Sequence, residues 1–489
     1  MFLSKRTRIL DLLDTVAEMN GLLLKLKDPE TAVQDCLAAL GAILNQLEQE
    51  KESPSHTIEL LKGTQGYFNA FWNGEIEVNA ATIQELSEKI ALLKATLKDE
   101  VSVKLNVVFL PYKASMWDSL ATVYEAAAKD ENCVARVVPI PYYQLSQNEA
   151  IPTYEGDRFP ANVPITHYNE YNLEQEEPDI IFVHNIYDQY NTITRVHEHF
   201  FTSNLKQFTN MLVYVPYHIS SFVKQENNID RSYDIPSVKN VDKIIVAGEF
   251  LKEAAVRFGV PEEKVLVLGS PKLDSMIKVI NNEISYPEEW KRKIEGKTVY
   301  LLNTGCTYFA GNTNAKLERL MDFIHFPRYV ENSVVIWRPH PLTKISIMKY
   351  TPHLLEYYID LTENRINGDF KSYQHIILDE SDDYLPALQA ADVLISSEGS
   401  LLRSFLLTEK KILFWGAEMP KGSLLPADSF YYTFDSSEMW YERIKGFSKG
   451  VDPFAEKRKG MASKIYANTD GTSGRKVYES IKQCVMQSE

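Results

Sequence analysis

Apolar positions along the first hundred residues recur at alternating spacings of three and four. Ile9, Leu12, Val16, Met19, Leu23 and Leu26 form one set, and Val33, Leu37, Leu40, Leu44 and Leu47 a second. Ile83, Leu86, Ile90, Leu93 and Leu97 form a third. Each set marks one face of a helix. Asp28-Pro29, Ser53-Pro54 and Asn73-Gly74 interrupt the pattern between them. The spacing predicts a helical bundle or hairpin over residues 1–100.

From Val103 onward the period changes. Short Val- and Ile-rich runs alternate with helical patterns. Strands are expected at Leu105–Leu110, Val134–Ile140, Ile180–Val183, Leu212–Val215, Lys243–Ala247 and Val265–Leu268. Helices are expected at Trp117–Lys129, Arg195–Phe201 and Phe250–Phe258. A connector over 286–296 leads to a second series of strands at Val299–Leu302, Val334–Trp337, His375–Leu378, Val393–Ile395 and Ile412–Trp415. Helices Lys316–Phe323, Tyr384–Ala391 and Leu401–Leu407 lie between these strands. Continuous apolar strands alternating with helices predict parallel sheets buried on both faces. The fold class expected is α/β: two doubly wound Rossmann-like domains facing a cleft, over 101–285 and 286–489, preceded by an all-α region over 1–100.

The chain has 489 residues, too many for one core. Its 52 Lys+Arg against 67 Asp+Glu give 52 − 67 = −15, a field that opposes nucleic acid. An anionic ligand therefore needs a local positive spot. Four dispersed cysteines (36, 133, 306 and 484) form no metal-binding or disulfide pattern. No apolar run reaches the length of a membrane span, so a cytoplasmic protein is expected, with peripheral contact at the inner face of the cell membrane left open. The basic cluster within Trp440–Tyr466 reads first as a solvated helix face.

The P-loop, dinucleotide, nucleophile-elbow and zincin motifs are all absent. The site must then be built from strand-end loops. Leu212-Val-Tyr-Val-Pro-Tyr-His218-Ile-Ser220-Ser221 puts a histidine and two hydroxyls past a strand, a place suited to a general base. A packed loop histidine is the plainer alternative. Val334-Val-Ile-Trp-Arg338-Pro-His340-Pro341 offers a guanidinium fork and an imidazole for phosphate, or simply a rigid X-Pro turn. Ser396, Ser397, Gly399 and Ser400 lead from a strand into a helix, whose first N–H groups suit phosphate, although Ser is also an ordinary cap. Thr304 and Gly305 open a polar loop after the first strand of the second domain. The acidic run Asp379-Glu-Ser-Asp382-Asp383 precedes a helix and reads as capping, so no metal is expected.

The order of these segments resembles the CDP-glycerol glycerophosphotransferases, which build teichoic-acid-like and capsular polyol-phosphate polymers. The segments are the His218 loop, Gly269-Ser-Pro271-Lys272-Leu-Asp274, Arg338-Pro-His340-Pro341, Ala391-Asp392-Val-Leu-Ile with its serine loop, and Asp470-Gly471-Thr-Ser-Gly-Arg475. The resemblance implies a GT-B architecture, with His218 as catalytic base and His340 with Arg338 on the pyrophosphate of a CDP-linked donor. Lys272 stands where Arg is common, Ile219 where Gly is usual, and Ser396–Ser400 replaces Thr-Asp-Tyr-Ser-Ser. It implies transfer of a polyol phosphate to a glycan or polymer hydroxyl with release of CMP, and no required cofactor. Two other readings stay open: a nucleotide-sugar glycosyltransferase or epimerase on the same fold, and a non-catalytic assembly subunit. The N-terminal helices are the expected surface for an acceptor, a partner or self-association.

Overall fold

The computed structural model describes residues 1–27, 29–50, 53–146, 148–219, 232–311, 313–368, 370–397, 399–416, 423–432 and 437–487. Ser220 lies outside them. Four helices open the chain: α1 (Leu3–Leu22), α2 (Pro29–Glu48), α3 (Ser55–Trp72) and α4 (Ala80–Glu100). Their apolar stripes meet in one core that includes Ile9, Val16, Leu40, Phe68, Ile90 and Leu97. α3 was not marked by the sequence sets, because its inward stripe mixes Thr57 and Thr64 with Leu61 and Phe68. The buried Asn20 donates its amide N–H groups to the carbonyl of Ile83 (3.0 Å) and to Ser87 Oγ (2.9 Å).

The first parallel sheet has the order β2-β1-β5-β7-β8-β9 and the second β12-β11-β10-β13-β14-β15. Its strands are β1 (Leu105–Leu110), β2 (Cys133–Val137), β5 (Ile180–Val183), β7 (Met211–Tyr214), β8 (Lys243–Val246) and β9 (Val265–Val267). The second contains β10 (Thr298–Thr304), β11 (Ser333–Pro339), β12 (Ile376–Leu378), β13 (Val393–Ser396), β14 (Lys411–Phe414) and β15 (Tyr431–Tyr432). Successive side chains point to opposite faces. Val107 and Phe109 of β1 therefore pack with Leu120 and Val123 of α5 (Asp118–Ala128). Val108 and Leu110 join a larger core that also holds Leu301 and Ile336 of the second sheet. One apolar core thus joins the two sheets.

A third sheet, antiparallel, has the order β4-β3-β6. It consists of β3 (Tyr142–Leu145), β4 (Ala150–Thr153) and β6 (Thr194–Val196). The helix expected at Arg195–Phe201 is corrected here. Thr194 and Val196 are buried on alternate positions and pair with β3, so period two wins, and only a short turn follows at Glu198–Phe200.

The bundle sits at the amino ends of the first sheet. Ser4 N–H donates to Asp179 Oδ1 (2.7 Å), and Asp179 Oδ2 accepts Asn106 N–H (2.6 Å). Strand-end loops lie at the opposite edge. Among the described residues no helix is long and apolar enough to cross a membrane.

The last helix, Ser473–Gln487, returns to the first sheet and packs Val477, Tyr478 and Ile481 against its outer layer. Asp274 caps it, accepting the N–H groups of Ser473 (3.1 Å) and Gly474 (2.7 Å) as well as Thr122 Oγ1 (2.8 Å). Asp274, singled out above as a site residue, is therefore a packing anchor. Gly269, at φ +84°, passes against Ser473. The segments Gly269–Asp274 and Asp470–Arg475 are thus two halves of one joint. A Cβ on Gly474 would lie 2.0 Å from Thr122 Oγ1. Gly474→Ala is expected to cost about 1–3 kcal/mol through overpacking, read as a lowered urea midpoint. An unchanged midpoint would mean that the helix is not seated there.

Candidate functional site

Both sheets present their carboxyl ends to a shared cleft. In each, strand order reverses once, between β1 and β5 and between β10 and β13, and ligands bind α/β sheets at such reversals.

On the first side, the loop after β7 carries Tyr217 and His218. The two rings lie 5.0 Å apart, edge to face, and Tyr187 lies 6.3 Å from His218. The next residue crosses the cleft. Ile219 N–H donates to Ser400 Oγ (3.3 Å), and the Ile219 carbonyl accepts Arg403 Nη1. Both partners lie on the helix Ser400–Phe405. A residue of the second domain therefore holds each backbone polar group of Ile219. Its buried side chain anchors the loop from below. The histidine is fixed by sequence neighbours on one side and by the opposite domain on the other.

On the second side, His340 ends β11. Its N–H donates to the Thr304 carbonyl (3.0 Å), and its Nδ1 accepts Leu342 N–H (3.1 Å). That bond leaves the imidazole proton on Nε2. Burial, with Lys113, Arg338 and Lys272 nearby, pushes its pKa down to about 4. His340 is thus a neutral donor at neutral pH.

Arg338 does not face the cleft as an open fork. It is 5% exposed and ion-paired with Asp379, itself 1% exposed. Its Nη2 donates to the Ser381 carbonyl (2.8 Å), and Nη1 reaches Ser381 Oγ (3.2 Å) and the Asp383 carbonyl (3.3 Å). The acidic run is therefore a loop folded around a guanidinium. Thr304 is buried in β10, and its Oγ1 accepts Trp337 Nε1 (3.3 Å). Ser396 is buried at the end of β13, and its Oγ donates to Asn303 Oδ1 (3.2 Å) or the Ser397 carbonyl (2.8 Å). These two support the cleft floor. Gly305, Ser397 and Gly399 lie in the loops above it, and a Cβ on either glycine would meet open space.

Two lysines are buried beside these groups: Lys272, which the sequence singled out, and Lys113, which it did not. Lys113, in the loop after β1, bonds Glu155 Oε1 (3.1 Å) and Tyr142 OH (3.1 Å). Lys272 bonds Asp118 Oδ2 (2.5 Å) and lies 4.4 Å from the centroid of the Tyr384 ring. Tyr384 OH, from the second domain, donates to the same Asp118 oxygen, while Asp118 Oδ1 is buried with no hydrogen-bond partner. Both lysines help to depress the His340 pKa, which places the two charges near its imidazole. His184, at the end of β5, is fully buried. Its Nε2 accepts Tyr112 N–H (3.1 Å), its Nδ1 meets Ser119 Oγ (3.1 Å), and burial drives its pKa down to about 3. It stays neutral and ties the β1 loop to the β5 loop. His184 directly follows β5 and Lys113 sits in the short loop after β1, so the rule that found His218 also reaches them.

The cleft therefore offers a half-buried histidine on one lip, a neutral histidine donor on the other, and two desolvated ammonium groups between. Two carboxylates accompany them. Such a set suits an anionic ligand and proton transfer at a hydroxyl. Among the described residues no group of three or more His, Cys, Asp or Glu is placed to hold a metal ion.

No protein-family model matches the chain, and no curated protein matches it by sequence. Solved structures do resemble it. A variant of the wall teichoic acid polymerase TagF superposes with a TM-score of 0.52 at 13% identity, covering 88% of this chain and 99% of that one. A putative UDP-N-acetylglucosamine 2-epimerase from Listeria monocytogenes superposes with a TM-score of 0.50 at 14% identity, covering 79% of this chain and 98% of that one. At these identities the likeness concerns the fold: the chain has the paired Rossmann-like, GT-B arrangement, with a helical region before it.

Proposed function

We propose that the chain is a transferase that binds a nucleotide-diphosphate-linked donor in the cleft and moves a polyol phosphate, such as glycerol phosphate, to a hydroxyl. The observation that carries this reading is His218, held between the two sheets by Ser400 and Arg403. In the proposed step His218 takes the acceptor hydroxyl proton. The hydroxyl oxygen attacks the phosphorus that bears the polyol, its bond to the bridging oxygen breaks, and CMP leaves with that electron pair. Lys113, Lys272 and the His340 Nε2–H stabilise the growing negative charge. They do so in a dry site, where such contacts are stronger than in water. Arg338 shapes the loop that brings Tyr384 to Asp118. A CDP-linked donor fits the segment order of the chain, and no cofactor is invoked.

The test is product analysis with CDP-glycerol, CDP-ribitol and a panel of nucleotide sugars. CMP release from a CDP-polyol supports the reading. Consumption of nucleotide sugars alone replaces it with sugar transfer or epimerisation, for which Asp118 and Glu155, each bonded to a lysine, are the acid–base pair. Absence of binding by every donor leaves a non-catalytic subunit.

His340 gives a pH prediction. Its pKa in the free protein lies below the ordinary value of 6.5, and an anion beside Nε2 raises it. The complex then binds more protons than the free protein between pH 6.5 and 4. CDP-glycerol affinity is expected to rise as pH falls through that window, by up to about tenfold per unit. Calorimetry in two buffers of different ionisation enthalpy reads the proton uptake. His340→Asn removes it.

A further inference from the structure

Beside the cleft, in the antiparallel sheet, lies a groove of about 430 Å³. That volume is within the usual range of small-molecule sites. Tyr143, Tyr168, Asn169, His197, His199 and Phe200 line it. The rings form two packed groups. Tyr143 stacks on His197 at 5.9 Å and 23°, Tyr168 meets Phe200 edge to face at 6.4 Å, and His199 meets Phe200 at 5.0 Å. His197 Nδ1 accepts His199 N–H (3.2 Å), which leaves Nε2–H as a donor.

Among the described residues, the lining holds no Asp, Glu, Lys or Arg. The nearby Arg195 lies over the Tyr143 ring and pairs with Glu198 (3.6 Å). A phosphate-bearing chain would find no compensating charge here, in a protein whose net charge is already −15. A nucleotide would meet the same lack. A neutral sugar matches the site. Its C–H faces lie against aromatic rings, and its hydroxyls take hydrogen bonds from imidazole, phenol and amide groups.

One residue connects the groove's lining to the cleft. Tyr142 also lines the groove and is 1% exposed, and its OH accepts from Lys113 Nζ, one of the groups that depress His340. Lys349, on the helix Thr343–Tyr350 that follows His340, bonds the Thr192 carbonyl just before β6. The second domain thus touches the antiparallel sheet just before β6.

We propose that this groove binds a neutral saccharide, two or three residues of a glycan whose end reaches toward the cleft. The acceptor role rests on the transfer reading above; the saccharide site itself does not, since binding alone tests it.

The experiment is calorimetric titration of the full chain with cellotriose, maltotriose, chitotriose and a glycerol phosphate trimer. At least one neutral trisaccharide is expected to bind. Tyr143→Ala and His199→Ala are each expected to weaken that binding tenfold or more. His199 is exposed, so its variant keeps the fold, which an unchanged melting temperature checks. Three results overturn the proposal: no trisaccharide binds, binding survives both substitutions, or the glycerol phosphate trimer binds more tightly and is lost with the same substitutions. Saccharide binding without turnover of any donor keeps the groove and removes only the transfer reading. Turnover of a CDP-polyol without saccharide binding does the reverse.

Discussion

His218→Gln is expected to lower turnover of a CDP-polyol by about 10²- to 10⁴-fold, the range for loss of a positioned general base. Donor affinity should change less than threefold. The proposed donor contacts are Lys113, Lys272 and His340, none of which the substitution touches. Gln keeps the size and one hydrogen-bonding end of imidazole, so the loop stays closed. Ile219 keeps its bonds to Ser400 and Arg403, because they use its backbone. Single-turnover measurements with saturating donor separate the two quantities. A fall of only a few fold would move the base elsewhere, and the first places to look would be Asp118 and Glu155.

The same loop shows how far a sequence carries. Strand ends were legible because buried parallel strands are short apolar runs, and a polar residue directly after one stands out. His218 and His340 were found that way. Their chemistry was not. The neutral state of His340 comes first from burial and then from nearby cations, among them Lys113 and Lys272, which lie more than 200 and about 70 residues before it. Asp118 and Tyr384 meet across 266 positions. No local pattern encodes such a meeting. Arg338 looked like a phosphate fork for the same reason: its partner Asp379 was read separately, as a helix cap.

Two elements escaped for other causes. The strands β3, β4 and β6 have only three or four residues each, so an alternating pattern has no room to declare itself. The closing helix returns to the first sheet by tertiary contact, through Asp274 and Gly474. The order of segments along the chain does not reveal that return. The bundle's position at the amino ends of the first sheet, away from the cleft, was equally invisible.

Arg338→Met is expected to destabilise the protein by about 3–5 kcal/mol, the cost of leaving a buried partner charge unpaired. Asp379 would lose its partner with almost no access to water. Three further bonds would go with the guanidinium, those it donates to the Ser381 carbonyl, Ser381 Oγ and the Asp383 carbonyl. Arg338→Lys keeps the charge but loses the fork, so a smaller loss is expected. The double substitution Arg338→Met with Asp379→Leu should recover much of the stability, since neither charge is then stranded. Urea unfolding of the three variants checks this order. The loop that Arg338 organises carries Asp382, paired with Arg158 at 2.6 Å, and leads to Tyr384 on Asp118. Both contacts join the second domain to the first. The double variant, stable but without the fork, should therefore lose interdomain contact, read as faster proteolysis between the domains and weaker donor binding. If it binds donor as the parent does while Arg338→Lys loses affinity at full stability, Arg338 touches the phosphates itself, and its role is the one first suggested by the sequence.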